Sequence, residues 1–227
     1  MSRAELLVRS VLDLLAPATC ASCGAGVPSE RSHRFCGLCM AELQKLDTPQ
    51  PELDEAAVVL CVAEFGGLLR VLIQRFKYEG ELSLARPLAE LLVETALAHD
   101  FEPDLIVPIP LHTSRLEERG FDHVLLLAGP LAEALEVPLV SMLQRTERRR
   151  PQVGLLPDQR RENVSGVFTM DPAQPSVRGR HIVLVDDVLT TGATVAEATR
   201  IMRAEGAASV DVLTLAHAVR SDTDDLR

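Results

Sequence analysis

Two adjacent carboxylates, Asp186 and Asp187, followed by the hydroxyl-rich turn Thr190-Thr191-Gly192-Ala193-Thr194, are the residues of this chain best equipped for chemistry. The turn offers backbone N–H groups, three hydroxyls and the positive end of a following helix, while Gly192 lets a phosphate approach the main chain. That set suits a 5′-phosphate. Neighbouring strand residues point to opposite faces, so the two acids are expected to divide the work. One would accept from ribose hydroxyls and the other would face a Mg²⁺ shell or the reacting side. Adjacent buried carboxylates repel and need a cation or hydroxyl partners, which favours a sugar-phosphate site over an ordinary strand-turn-helix with acids at its turn. The chain has no Gly-Lys-Ser/Thr phosphate loop.

The acids need a strand to carry them. Ile182 to Val185 is apolar on both faces, as in a strand buried between helix layers, and the residues from Ala193 onward have helical periodicity. Asp186 and Asp187 are therefore expected at the carboxyl end of a strand, where open α/β sheets bind ligands. Elsewhere the pattern alternates: strand 57–64, helices 67–77 and 83–98, strand 104–109, helix 122–136, a short strand 138–141, strand 182–186, helix 193–205 and strand 209–216. Such alternation implies a mainly parallel twisted sheet with helices on both faces. Gly129-Pro130 is expected to kink or divide the helix over 122–136. Pro108 and Pro110 force a stiff exit from the second buried strand, open to a cis peptide, into a loop bearing Arg115 and Arg119. Those arginines would then stand at the same edge as Asp186, unless they merely pair in solvent with Glu117 and Glu118.

Four of the five cysteines form Cys20-x2-Cys23-x12-Cys36-x2-Cys39, two knuckles spaced for a four-thiolate Zn²⁺ site, with Gly24 and Gly37 permitting tight turns. A module this small buries too little apolar surface to fold unaided, whereas structural zinc supplies about 10–16 kcal/mol. A disulfide pair or redox motif is the competing reading, and His33 is a possible substitute ligand. A closed four-thiolate site has no open coordination position, so its role would be scaffolding or docking. Cys61 reads as a small buried apolar residue.

With 227 residues, 47% hydrophobic and 25% charged, the chain suits one sizeable soluble domain plus a small appendage. The expected organisation is an N-terminal helix and zinc module over 1–47, a Pro-rich linker over 48–55, the main domain over 56–220 and an acidic tail over 221–227. Glu5, Arg9 and Asp13 break the apolar start, and Ser2 with Glu5 fits a capping box. This segment reads as an amphipathic helix, not a signal peptide or membrane span, which points to a cytoplasmic protein without membrane insertion. A net charge of −10 argues against a generally basic nucleic-acid binder. Between Met142 and Asn163, however, Arg145, Arg148, Arg149, Arg150, Arg160 and Arg161 outnumber Glu147, Asp158 and Glu162, leaving a local +3.

Taken in order, these pieces resemble one family. The apolar strand, acid pair and Thr-Thr-Gly-Ala-Thr turn are similar to the motif that binds phosphoribosyl pyrophosphate (PRPP) in type I phosphoribosyltransferases. The paired knuckles, Lys77-Tyr-x-Gly80, Val107-Pro-Ile-Pro-Leu-His112, Arg119-Gly-Phe121, Arg145-Thr146, Pro151-Gln152, Arg160-Arg-x-Asn163 and Phe168 complete a likeness to the ComF (competence protein F-like) family over roughly Leu12 to Ala218. The resemblance implies a zinc finger fused to a type I phosphoribosyltransferase fold, with PRPP held by Asp186, Asp187, Thr190, Thr191, Gly192, Ala193 and Thr194. It places Arg115 and Arg119 on the pyrophosphate, where the bidentate guanidinium suits multiple charge, with Lys77 in reach of the phosphates. It makes the segment with Arg145, Arg148, Arg149, Gln152, Arg160, Arg161 and Asn163 a loop that closes over the site, and links the protein to natural transformation. Where the family commonly has Asn-Gln, this chain has Asp122-His123. His123 is expected to be a surface or internally satisfied histidine, with proton transfer as the sharper alternative.

On the enzymatic reading, a nucleophile attacks the anomeric carbon of PRPP as Mg²⁺-pyrophosphate leaves, the arginines stabilise the developing charge and the loop excludes water. Phe65, Phe76 and Tyr78 are candidates for stacking, although aromatics at helical spacing are more often core, and no base-reading pattern identifies an acceptor. The alternative is a non-catalytic, PRPP-sensing adaptor that binds single-stranded DNA or a competence helicase through the basic loop and zinc finger. Against it, only 3% of residues are aromatic and none is Trp.

Overall fold

A computed structural model of the chain describes residues 19–27, 34–44, 51–53, 56–146 and 167–218. The expectations for the N-terminal helix, His33, most of the linker, the tail and loop residues Arg148, Arg149, Arg150, Gln152, Arg160, Arg161 and Asn163 lie outside them.

The elements in chain order are α1 (Gly37–Gln44), β1 (Val59–Glu64), α2 (Gly67–Tyr78), α3 (Ala85–Ala98), β2 (Leu105–Pro108), α4 (Thr113–Arg119), α5 (His123–Leu135), β3 (Leu143–Arg145), β4 (Phe168–Met170), β5 (His181–Leu189), α6 (Ala193–Ala204) and β6 (Ser209–His217). A 3-10 turn, Leu82–Leu84, leads into α3. The main sheet has the order β1-β6-β5-β2 with every pair parallel, and β3 and β4 form a separate antiparallel ribbon. Alternation along β5 splits the core: Val183 and Val185 pack with Phe76, Leu88 and Leu127, while Ile182 and Leu184 pack with Val195 and Met202 of α6. The parallel sheet covered by helices on both faces is the arrangement expected from the sequence.

Three local expectations are corrected and a fourth, at Gly129-Pro130, is narrowed. β5 runs from 181 to 189 instead of ending at Asp186, because β6 accompanies it as far as the Leu189↔His217 pair. On its other side β2 stops at Pro108↔Val185, and Ile109 makes the last bond, 2.9 Å to the Val185 carbonyl, before Pro110 removes the next donor. The acids thus emerge past the end of β2. The segment 138–141 contributes only an isolated bridge, Leu139 with Ile106. Ile106 N donates to Pro138 O and Val140 N to Ile106 O, but Pro138 has no N–H to extend the ladder.

α5 continues through Pro130 as one helix. The carbonyl deprived of a partner belongs to Leu126, which is on an exposed stretch where water can satisfy it. Finally, Arg115 and Arg119 sit on a short helix, not a loop. His112 caps its start by accepting from Ser114 N, and Gly120, at φ +76°, ends it in the left-handed conformation. Among the described residues there is no cis peptide bond.

Candidate functional site

The acids do point to opposite faces of the sheet. Asp187 turns toward α2 and α5, where its Oδ2 receives Lys77 Nζ at 2.5 Å and a short hydrogen bond from His123 Nε2. His123 is 2% exposed. Its Nδ1 lies 2.7 Å from Arg119 Nη1, the nearer of two contacts between that guanidinium nitrogen and the ring. The Arg119 guanidinium also stands 5.1 Å over the ring of Tyr78, the neighbour of Lys77. Lys77, Asp187, His123, Arg119 and Tyr78 therefore close a circuit that ties the end of α2 to β5, α4 and α5.

Asp186 turns the other way. Its Oδ1 accepts from the main-chain N–H of Asp187 at 2.8 Å, and its charge is felt by Arg145, which in turn is close enough to Arg115 to be disfavoured by it. Arg145 stands 5.4 Å over the Phe168 ring and 3.5 Å from the Pro110 carbonyl. β3 and β4 thus bring it to the sheet edge.

Electrostatics separates the pair. Burial, then the neighbouring Asp187 charge, pushes Asp186 up to about 8, against the pull of the Asp187 N–H, Lys77 and Arg145. Asp186 is partly exposed, whereas Asp187 is buried. Burial also works to raise Asp187, but the His123 hydrogen bond and the Lys77 charge outweigh it and hold this carboxyl well below the usual range. The two shifts run in opposite directions, so Asp186 is the member of the pair that takes up a proton first. Among the described residues Asp186 makes no ion pair, so it is the carboxylate with unmet demand for a cation.

Gly192 opens α6 at φ +74°, a conformation only glycine adopts without strain. Thr190 and Thr191 are exposed beside it, and Ala193 and Thr194 begin the helix with partial exposure. A Cβ at position 192 would stand 2.7 Å from Leu53 Cδ2, so this turn also packs against the segment preceding β1. Phe76 is core, 5.8 Å from Phe121 and 6.3 Å from His123, and is not available for ligand stacking. Arg115 is exposed, whereas Arg119 is turned inward.

His123 and Asp122 are the residues that sequence reasoning undervalued. Asp122 caps α5 by accepting from Leu125 N at 3.0 Å, a role its residue type ahead of an apolar run would have signalled. The burial of His123 has no local signal, since its partner Asp187 is 64 residues away.

Cys20, Cys23, Cys36 and Cys39 bring their sulfurs within 4.8 Å of one another, with Cys23 Sγ and Cys36 Sγ 3.6 Å apart. A disulfide requires about 2.05 Å, and all four thiols are free. Tetrahedral zinc with ~2.3 Å bonds needs sulfurs about 3.8 Å apart, so the cluster fits a metal ion. Burial works to raise Cys20, but the amides of Cys23, Cys36 and Ser22 bring it down to about 6. The Cys36 N–H donates to the Cys20 sulfur at 3.2 Å, the N–H···S support that thiolate ligands need. Gly24 turns at φ +74°, while Gly37 instead opens α1. Phe35 and Leu43 of this module join the same apolar cluster as α2 and α3. Cys61 is buried in β1, where Thr214 Oγ1 donates to it at 3.1 Å.

The phosphoribosyl transferase domain family matches residues 124–227. Over 205 residues the chain is 30% identical to "Competence protein F" of Haemophilus influenzae, covering 88% of this chain and 84% of that protein. It is 35% identical over 199 residues to "DNA utilization protein YhgH" of Escherichia coli K12, covering 85% and 81%. Among solved structures, orotate phosphoribosyltransferase from Aeropyrum pernix aligns with a TM-score of 0.42 at 20% identity, over 66% of this chain and 81% of that one.

Proposed function

The chain belongs to the competence protein F (ComF) family, and from that premise we propose that it is a cytoplasmic PRPP-binding pentosyltransferase acting in the use of incoming DNA. The observation that carries this reading is Asp186: a carboxyl without an ion pair among the described residues, beside a helix-opening glycine turn and within reach of the Arg145 charge, which Arg115 neighbours in turn. A polyanionic sugar phosphate needs this mixture of hydroxyls, amides and guanidinium groups, and a carboxylate beside it suits ribose hydroxyls and a divalent cation. Mg²⁺, when bound, screens the pyrophosphate charge and assists its departure.

The chain's own residues would do the rest. The amides and hydroxyls of Thr190–Thr194 hold the 5′-phosphate, and Asp186 accepts from the ribose or the metal's water shell. Arg115 and Arg145 stabilise charge on the leaving pyrophosphate as the acceptor attacks the anomeric carbon. By the family resemblance, the arginines between 148 and 161 would close over bound PRPP. Four thiolates would hold a structural Zn²⁺ in a module over residues 1–47, attached to a phosphoribosyltransferase-like domain over 56–220. Neither Zn²⁺ nor its ligands takes part in transfer.

A second reading draws on the names of the relatives, competence and DNA utilization. In it PRPP is sensed but not consumed, and the arginine-rich segment and metal module bind single-stranded DNA or a helicase. Pyrophosphate release from PRPP and Mg²⁺ across a panel of bases, nucleosides and oligonucleotides separates the two. Release that is lost in Asp187→Asn supports transfer. No release, together with salt-sensitive DNA affinity lost in Arg148→Ala/Arg149→Ala/Arg150→Ala, supports the adaptor.

A further inference from the structure

We infer that His123 is a positioning residue for the acid pair, setting the carboxylate of Asp186 from behind through Asp187. The inference rests on Asp186 being the ligand-facing acid. Arg119 can only donate, and its Nη1 lies 2.7 Å from His123 Nδ1. The same guanidinium nitrogen lies 3.3 Å from Nε2, so the guanidinium sits against the ring as a whole; the proton of Nε2 is assigned by Asp187 Oδ2, which as an ionised carboxylate can only accept. Lys77 Nζ reaches the same oxygen from α2. Two donors from two helices leave the Asp187 carboxylate one rotamer.

That fixed side chain fixes its own backbone, and the Asp187 N–H is the donor that holds Asp186 Oδ1 at 2.8 Å. Orientation passes in sequence from Arg119 to the imidazole, to the Asp187 carboxylate, to its amide, and so to the acid that meets the ligand. Every member between the guanidinium and Asp186 is buried: His123 is 2% and Asp187 5% exposed. Both acids share the motif, yet only one faces the ligand. Asp187 serves as the anchor, and His123 supplies the hydrogen bond that orients it.

Two measurements test this on the metal-loaded full chain. Nitrogen NMR of ¹⁵N-histidine protein is expected to show His123 carrying a proton on Nε2, with the ring signals displaced in Arg119→Met. An Nδ1–H tautomer, or a ring indifferent to Arg119→Met, would overturn the relay whether or not PRPP binds. PRPP–Mg²⁺ affinity is then compared among variants. Gln offers one donor and one acceptor at similar reach, so His123→Gln should stay within about threefold of wild type, whereas His123→Leu should lose about 10–100-fold, as for other partners of ligating groups. Urea midpoint and metal content identify any misfolded variant, and the NMR result stands without them. Equal affinity in Leu and wild type, or Gln as weak as Leu, contradicts the inference. Absence of PRPP binding by wild type would instead count against the site reading, leaving the tautomer to decide this one.

Discussion

Lys77→Met should cost this protein far more than the loss of a surface lysine, because among the described residues the ammonium is one of two groups that donate to Asp187 Oδ2. The pair is 2.5 Å apart with side chains 13% and 7% exposed. Two unit charges about 4 Å apart at an effective permittivity near 20 attract by about 4 kcal/mol. Desolvation of the ammonium subtracts from this, and His123 continues to hold the carboxylate, so a net coupling of about 2–3 kcal/mol is expected, against 0.2–1 kcal/mol for exposed pairs. Urea unfolding of wild type, Lys77→Met, Asp187→Asn and the double variant isolates that coupling. Its pH dependence has a defined sign. Asp187 is held below its ordinary value, so its contribution is present above the unfolded-state value near 3.9 and is lost only as pH falls through the depressed folded value. A coupling below about 1 kcal/mol at neutral pH, or one that disappears between pH 6 and 5, would refute this account of the anchor.

Asp186 behaves oppositely. With its carboxyl raised to about 8, the ligand-free fold binds an extra proton and should lose stability as pH rises from about 4 toward 8. Binding of PRPP–Mg²⁺ should therefore release up to about one proton at pH 7, seen as a binding heat that varies with buffer ionisation enthalpy; a buffer-independent heat would contradict it. Chelation of the metal should free Phe35 and Leu43 from the shared core and open residues 19–44 to protease, read by mass spectrometry, ahead of the sheet. An unchanged digestion pattern would show that the module folds without metal. Gly192→Ala should destabilise by about 1–2 kcal/mol from its left-handed backbone alone, and must also displace Leu53, whose Cδ2 would stand 2.7 Å from the new Cβ. A melting temperature equal to wild type would contradict it.

The candidate site was readable where local pattern and tertiary role coincide. Ile182 to Val185 is apolar on both faces because helices cover both, and the acids and Gly192 follow immediately, so strand, turn and helix could be placed from composition alone. The opposed faces of Asp186 and Asp187 followed from the strand repeat. The cysteine spacing likewise carried its own geometry. Three features depended on distant residues. His123 became an internal partner only because α5 lies against β5, and Arg119 was drawn inward by that ring and by Tyr78. β5 outran its apolar stretch because β6 supplied three further residues of pairing, which the polar Asp186-Asp187 step concealed. The helix Thr113–Arg119 was legible in principle, since His112 and Gly120 are a cap and a stop, but its charged body has no apolar stripe.

Calorimetric titration of the metal-loaded protein with PRPP and Mg²⁺, beside an Asp186→Asn/Asp187→Asn control of equal metal content, tests the central claim most directly. The account predicts micromolar binding by wild type that the control abolishes. Wild-type protein that takes up no heat on titration, or a control that binds as tightly as wild type, would contradict the assignment of the acid pair as a PRPP site.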